Sequence, residues 1–231
     1  MYHLNNNNIE DTIKFVYYLW IHQGSGGLLS YEIIQLMIKL NLLIKNGNFD
    51  NIKGSSYDLT LGDEYYNAGK IKTLSDKEPF ILIEPYDYAI VTSKEKVIMP
   101  NDIASNFGLS VSLFCQGIIL SNGPQVDPGF RGILLCLLFN TSDVPVLLKR
   151  GEHYATIIFN KLIEPTFTYS DTYQDKDKIK DYLPTKTMMG GINVLKKELE
   201  DIKNQSRSLQ DMFLGVISLI LSIIAILLAL R

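Results

Sequence analysis

Hydrophobic and polar positions change period along this chain, and each change marks an element. From Ser30 the spacing is helical. Ser30 is placed as an N-cap, Glu32 lies in the first turn, and Ile33, Ile34, Met37, Ile38 and Leu40 share one face. Lys45-Asn46-Gly47-Asn48 is expected to end this helix. From about Gly54 to Leu162 short apolar or alternating runs recur: Phe80 to Glu84, Tyr88 to Thr92, Gly117 to Leu120, Gly132 to Phe139, Val144 to Leu148 and Tyr154 to Phe159. Between them lie Glu84-Pro85, Met99-Pro100-Asn101-Asp102, Ser121-Asn122-Gly123-Pro124, Asp127-Pro128-Gly129 and Arg150-Gly151. Many short strands broken by turn signals predict an all-β sandwich or barrel. Strand–helix alternation is missing, which argues against a doubly wound parallel sheet.

The two ends read differently. An Asn run, Asn5 to Asn8, precedes an apolar, helix-like stretch around Ile13, Val16, Leu19 and Trp20, and Gly24-Ser25-Gly26-Gly27 breaks it off. From Glu164 to Lys186 the chain is polar, as in a linker or an arm. Ile192, Leu195, Leu199, Ile202, Ser206, Leu209 and Phe213 then repeat at alternating steps of three and four. These are a and d positions of a short coiled coil with one polar a. Met212 to Leu230 carries no charge and no proline. As a helix it is about 28 Å long, close to the roughly 30 Å core of a bilayer. A coiled coil running into a membrane anchor implies parallel chains. The expected organisation is a helical extension over 1–28, a β domain over 29–163, a polar linker or arm over 164–190, a coiled-coil helix over 191–211 and a transmembrane helix over 212–230.

Composition narrows the partners. With a net charge of −3, no strong field draws the chain to nucleic acid. Lys/Arg-plus-aromatic interleaving for nucleic acid is also missing. His3, His22 and His153 are scattered, without metal-ligand spacing. Cys115 and Cys136 sit in apolar runs and read as small buried hydrophobes in a reducing compartment. The start lacks the apolar core of a secretory signal. Lys196, Lys197, Lys203 and Arg207 before the span place the β domain on the cytoplasmic side by the positive-inside rule.

Four boxes in order carry a resemblance. They are Gly54-Ser55-Ser56-Tyr57-Asp58-Leu59-Thr60-Leu61-Gly62; Met99 to Ala104 followed by Gly108 to Gly117; Val126-Asp127-Pro128-Gly129-Phe130-Arg131-Gly132, ending at Phe139-Asn140; and Lys149 to Phe159. Together they resemble the superfamily of dCTP deaminases and trimeric dUTPases. The resemblance implies a mainly β fold, a distorted double-stranded β-helix. It also implies a homotrimer with pyrimidine deoxynucleotide sites between subunits. No cofactor is then required, although Mg²⁺ can accompany a bound nucleoside triphosphate.

The departures from that pattern concern chemistry. The family's general-base glutamate corresponds to Leu137, which has no proton to give or take. Glu152 is the next glutamate downstream. The two arginines of the family's R-S-S-x-x-R box correspond to Ser110 and Cys115, and its phosphate-contacting glutamine to Thr156. Ser112 is retained, either as a phosphate contact or as a satisfied strand serine, and Gln116 closes the same box. Asp127 is retained, either beside the nucleotide sugar and activating water, as in dUTPases, or as the first residue of a turn. Asn122 and Gln125 offer amides to a base edge. Asp58 reads as a structural acceptor. Thr187-Met188-Met189-Gly190-Gly191 lacks the arginine of a phosphate-closing arm. The substrate-binding candidates are therefore Ser112, Gln116, Asn122, Gln125 and Asp127, with Asp127 catalytic if the protein is active. Two function classes stand. One is a membrane-tethered member that binds a pyrimidine deoxynucleotide or a partner without deaminating, as sensor or scaffold. The other is a working dCTP deaminase or dUTP diphosphatase with altered site residues.

Overall fold

The structure is a computed structural model, and it describes residues 26–184 and 191–229. The apolar stretch around Ile13 to Trp20 and the Thr187 to Gly190 segment lie outside the described residues. Two units separate, Met1–Thr187 and Met188–Arg231.

The first unit is an antiparallel, curled sheet. Its strands are β1 (Gly27–Leu28), β2 (Leu43–Lys45), β3 (Ser56–Asn67), β4 (Lys70–Thr73), β5 (Phe80–Ile83), β6 (Tyr88–Ile98), β7 (Ile103–Leu109), β8 (Ile118–Ser121), β9 (Arg131–Asn140), β10 (Val146–Lys149) and β11 (His153–Lys161). Among the described residues nine strands form one sheet in the order β1-β11-β3-β6-β9-β8. β2 joins at β6, β4 at β3 and β7 at β11, while β10 and β5 form a separate pair. Helix α1 (Tyr31–Lys39) and the short α2 (Val111–Cys115) complete this unit.

Alternation explains the core. In β9, Leu134, Cys136 and Leu138 are buried, and Leu135, Leu137 and Phe139 on the other face are half-buried. Both faces are covered, so the strand reads as one continuous apolar run. Asn140 closes it. Its amide donates to the carbonyls of Ile83 (3.0 Å) and Val144 (2.8 Å), and its Oδ1 accepts from Ser142 N (3.0 Å). The asparagine that ends the third box therefore pins the β9–β10 turn.

Several expectations need correction. α1 ends at Lys39, because Asn41 takes a left-handed φ of 56° and Leu43–Lys45 leaves to pair with β6. Ser30 holds the N-cap place without capping the backbone; its hydroxyl donates to Glu32 Oε2 at 2.8 Å. Val111–Cys115 is helical, so Ser112 is not a strand serine. The same turn leaves Cys115 exposed, and only Cys136 of the two cysteines is buried.

The polar segment after β11 lies on the sheet. Thr166 N donates to Asn101 O (2.9 Å), Tyr169 N to Pro128 O (2.8 Å) and Asp175 N to Arg131 O (2.7 Å). Arg131 Nε and Nη2 grip Asp175 in two parallel bonds of 3.0 and 2.8 Å. Ile179 is fully buried, and its N–H donates to Glu64 Oε2 at 2.8 Å. Burying one such side chain stabilises by about 1.5–3 kcal/mol and adds to these bonds in holding the strap.

The second unit is one helix, α3 (Gly191–Ala229). Within Lys197–Leu228 an 18-residue window with a mean hydropathy of 2.6 makes the helix long and apolar enough to cross a membrane. Ser222 Oγ donates to Ser218 O within the helix at 2.8 Å, so this hydroxyl is satisfied by its own backbone.

Candidate functional site

The Asp127-Pro128-Gly129-Phe130 segment is a turn closed by Phe130 N donating to Asp127 O at 3.1 Å. Proline presets the first central position, and Gly129 takes the positive φ of 80° that the second requires. A Cβ on Gly129 would also collide with Thr168 of the strap. Val126 and Ser105 exchange backbone bonds of 2.7 and 3.1 Å, which fix the loop to β7. On this base Asp127 Oδ1 accepts from Gln125 Nε2 at 2.6 Å. The Asn122 amide donates to Phe107 O at 3.0 Å. Each amide has thus committed a donor and keeps its oxygen as an acceptor.

Ser112 and Gln116 lie elsewhere. In α2, Gln116 Nε2 donates to Ser112 O (3.1 Å), and the Ser110 and Ser112 hydroxyls are 3.2 Å apart. A cleft of about 110 Å³ beside them is lined also by Lys149, Glu152 and His153. His153 Nε2 is 3.3 Å from Asp58 Oδ1 and 3.1 Å from Thr156 Oγ1. Thr156 Oγ1 in turn donates to the same Asp58 oxygen at 3.1 Å, and Lys53 Nζ is 3.6 Å from the other. Asp58 is therefore a structural acceptor, and Thr156 is already engaged. His153 is a member that sequence spacing missed. It and Thr156 should face opposite sides of a strand, but the β11–β3 register shifts between His153 and Ala155 and brings both to Asp58. Asn122, Gln125 and Asp127 do not line this cleft.

Leu137 pairs with Ile90 on one side and Ser121 on the other. It packs in an apolar cluster with Tyr66, Ile90 and the strap residue Ile179, flanked by Tyr88, Leu135 and Leu183. The strap is fixed above this cluster by Tyr182, whose hydroxyl lies 3.0 Å from Ile133 O and whose ring stacks on Tyr173 at 5.3 Å. Burial raises the Tyr182 hydroxyl above its ordinary range, so it remains a neutral donor. The strap therefore runs across both the Asp-Pro-Gly turn and the face that Leu137 occupies. Among the described residues no group of three or more His, Cys, Asp or Glu is placed to hold a metal ion.

Residues 28–162 match a family described as dCTP deaminase-like. A dCTP deaminase of Pyrococcus horikoshii is 34% identical over 143 residues, 62% of this chain and 90% of the relative. A probable deoxyuridine 5'-triphosphate nucleotidohydrolase of Sulfolobus islandicus rod-shaped virus 1 is 30% identical over 151 residues, 64% of this chain and 92% of that protein. The 2'-deoxycytidine 5'-triphosphate deaminase from Agrobacterium tumefaciens superposes with a TM-score of 0.52 at 18% identity. That match takes in 59% of this chain but 49% of the other, so the chain spans about half that structure, and the likeness fixes the fold alone.

Proposed function

The chain belongs to the dCTP deaminase-like family, and on that premise we propose that it binds a pyrimidine deoxynucleotide without deaminating it. It acts as a membrane-tethered sensor or scaffold. The observation that carries this reading is Leu137. The place that the resemblance gives to a general base holds a leucine, and that leucine is packed under Ile179. Hydrolytic deamination needs a group that takes a proton from water and passes it to the leaving nitrogen, and such groups contribute ~10²–10⁴-fold. A leucine supplies none. With Ser110 and Cys115 at the arginine positions, no guanidinium there meets the phosphates.

Binding requires less. The free oxygens of Asn122 and Gln125 can accept from a base edge and the Asp127 carboxylate from a sugar hydroxyl, while Ser112, which lies elsewhere in the chain, can donate from a neighbouring copy to a phosphate if the site lies between subunits as the resemblance implies. Mg²⁺ would enter with the nucleotide, carried by its own phosphates. In this reading three chains assemble as a homotrimer, continued by the seam of α3, with the β domain on the cytoplasmic side of the membrane.

Asp127 favours a second reading. It is a half-buried carboxylate oriented by Gln125 at 2.6 Å, and it could activate a water for dUTP diphosphatase chemistry. A thermal-shift panel of the full chain with dCTP, dUTP, dTTP and ribonucleotides, with and without Mg²⁺, tests the binding reading. A selective ligand at one hundred times its Kd stabilises by about 2.7 kcal/mol. No rise in melting temperature with any pyrimidine deoxynucleotide would contradict it, and release of pyrophosphate from dUTP would establish the second reading.

A further inference from the structure

A second cleft shares no lining residue with the one beside Ser112 and is built on an irregularity of β6. Thr92 pairs with Leu135 and Lys96 with Ile133, so β6 advances four positions where β9 advances two. The Ser93 hydroxyl fills the gap, accepting from Leu134 N (2.9 Å) and donating to Glu95 O (2.7 Å). Bulges of this kind re-aim side chains. Here Glu95 turns inward to 8% exposure, and its oxygens accept from Thr60 N (2.9 Å) and Thr60 Oγ1 (2.7 Å). Among the described residues no cation pairs with it.

The walls are also fixed. On one side Asn41, Leu43 and Asn46 take left-handed φ values of 56°, 63° and 53°, and this segment presents Lys45 and Asn46 to the cleft. Asparagine enters this region readily, so the strain rests on Leu43. On the other side Tyr57 OH accepts from Asn48 N (3.1 Å) and Asn51 Nδ2 (3.4 Å). Lys94 and Lys96 complete the rim of a cleft of about 490 Å³. Its volume suits a small ligand, and its walls are more polar than apolar.

The charges select the ligand. Lys96 is neutralised by Asp177 at 2.7 Å. Lys45 and Lys94 close no ion pair among the described residues, although the Lys94 charge also acts on Asp63 and Glu95, so both ammonium groups remain available to an anion. Each Glu95 oxygen keeps a lone pair beyond its bond from Thr60. Asn48 Oδ1 already accepts from Asp50 N, whereas the Asn46 and Asn51 side-chain oxygens accept from no group among the described residues, and a bare anion offers none of these a donor.

We propose that this cleft binds a small phosphorylated polyol, with its phosphate on Lys45 and Lys94 and its hydroxyls on Glu95 and the asparagines. The site is independent of the nucleotide reading. The ester can belong to a soluble sugar phosphate or to a lipid headgroup. Calorimetric titration of the full chain in detergent micelles with glucose 6-phosphate, glucose, inorganic phosphate and phosphatidylinositol 4-phosphate tests it. At least one ester should bind at least about tenfold more tightly than glucose or phosphate alone. The exposed double variant Lys45→Ala/Lys94→Ala should weaken that ester about a hundredfold, at roughly tenfold per charge-assisted contact. The pyrimidine-nucleotide thermal shift should be unchanged in the same variant, which separates the two sites. A soluble ester that binds best marks a metabolite site, and a lipid that binds best marks a headgroup site. Silence from both esters, inorganic phosphate binding as tightly as an ester, or an unaffected double variant would overturn the proposal.

Discussion

Two side chains decide most at the scale of single residues. Leu137 occupies a sheet position where a carboxylate would face Tyr66, Ile90 and Ile179. Leu137→Glu should therefore destabilise the protein by about 1–3 kcal/mol, the cost of placing a polar group among apolar neighbours without a partner. Urea denaturation measures this. A variant as stable as the parent would mean that the strap does not close over this residue. Glu95 is the opposite case, a buried carboxylate kept as such. Burial raises its pKa above the ordinary 4.5, and the bonds from Thr60 offset only part of that rise. A carboxyl with a raised folded pKa binds its proton better folded than unfolded. Its contribution is thus complete below about 4.5 and is lost as pH climbs through the folded value. Glu95→Gln keeps an acceptor for Thr60 and removes the titration. Melting temperatures of the variant between pH 4 and 8 should fall less on the alkaline side than those of the parent. Parallel pH profiles would show that Glu95 is not desolvated.

At the scale of elements the strap is the part that matters most and the part that sequence conveyed least. Its residues are polar, and Tyr169, Asp171, Asp175 and the lysines around them read as solvated chain. What holds it is scattered: backbone bonds from Thr166, Tyr169 and Asp175, the bidentate Arg131–Asp175 pair, the Lys96–Asp177 pair, Tyr182, and Ile179 as its one fully buried side chain among the described residues. A single isoleucine gives no periodicity to detect. The exposed ion pairs themselves contribute little. Ile179→Ala should cost about 2–4 kcal/mol by analogy with other fully buried sites. It should also speed limited trypsin digestion after Lys176, Lys178 and Lys180 relative to the intact protein. Equal digestion of both would show that the strap is loose already. Elsewhere the pattern was legible. β9, β11 and the β5–β10 pair follow the apolar runs closely, because each run has turn chemistry at its ends. The long β3 and β7 were harder to bound, since Asp58, Thr60, Ser105 and Asn106 interrupt their apolar residues. Ser112 was misplaced for a local reason: Val111–Cys115 has the composition of a strand but forms one helical turn. His153 escaped notice because its partnership with Asp58 depends on a register shift that no spacing encodes.

At the scale of the whole molecule, the β unit and α3 are separate bodies joined through residues outside the description. In α3, Leu195, Leu199, Ile202, Leu209 and Phe213 are all exposed on the lone helix. An uncovered apolar seam of this length that continues into a span calls for a partner, and the proposed one is the same chain in parallel. Deleting residues 212–231 should release the protein from membranes, and light scattering should then give a mass of three subunits. A released monomer would rule the trimer out, and a truncated protein that still sediments with membranes would rule the anchor out. The central claim is narrower: a dCTP deaminase-like sheet has kept a place for a nucleotide and given up the proton-transfer group. Chromatographic measurement of dUTP formed from dCTP by the full chain tests it most directly. The account predicts no conversion above the buffer control over hours at micromolar protein, whereas turnover near the ~1–10³ s⁻¹ range of ordinary enzymes would contradict it.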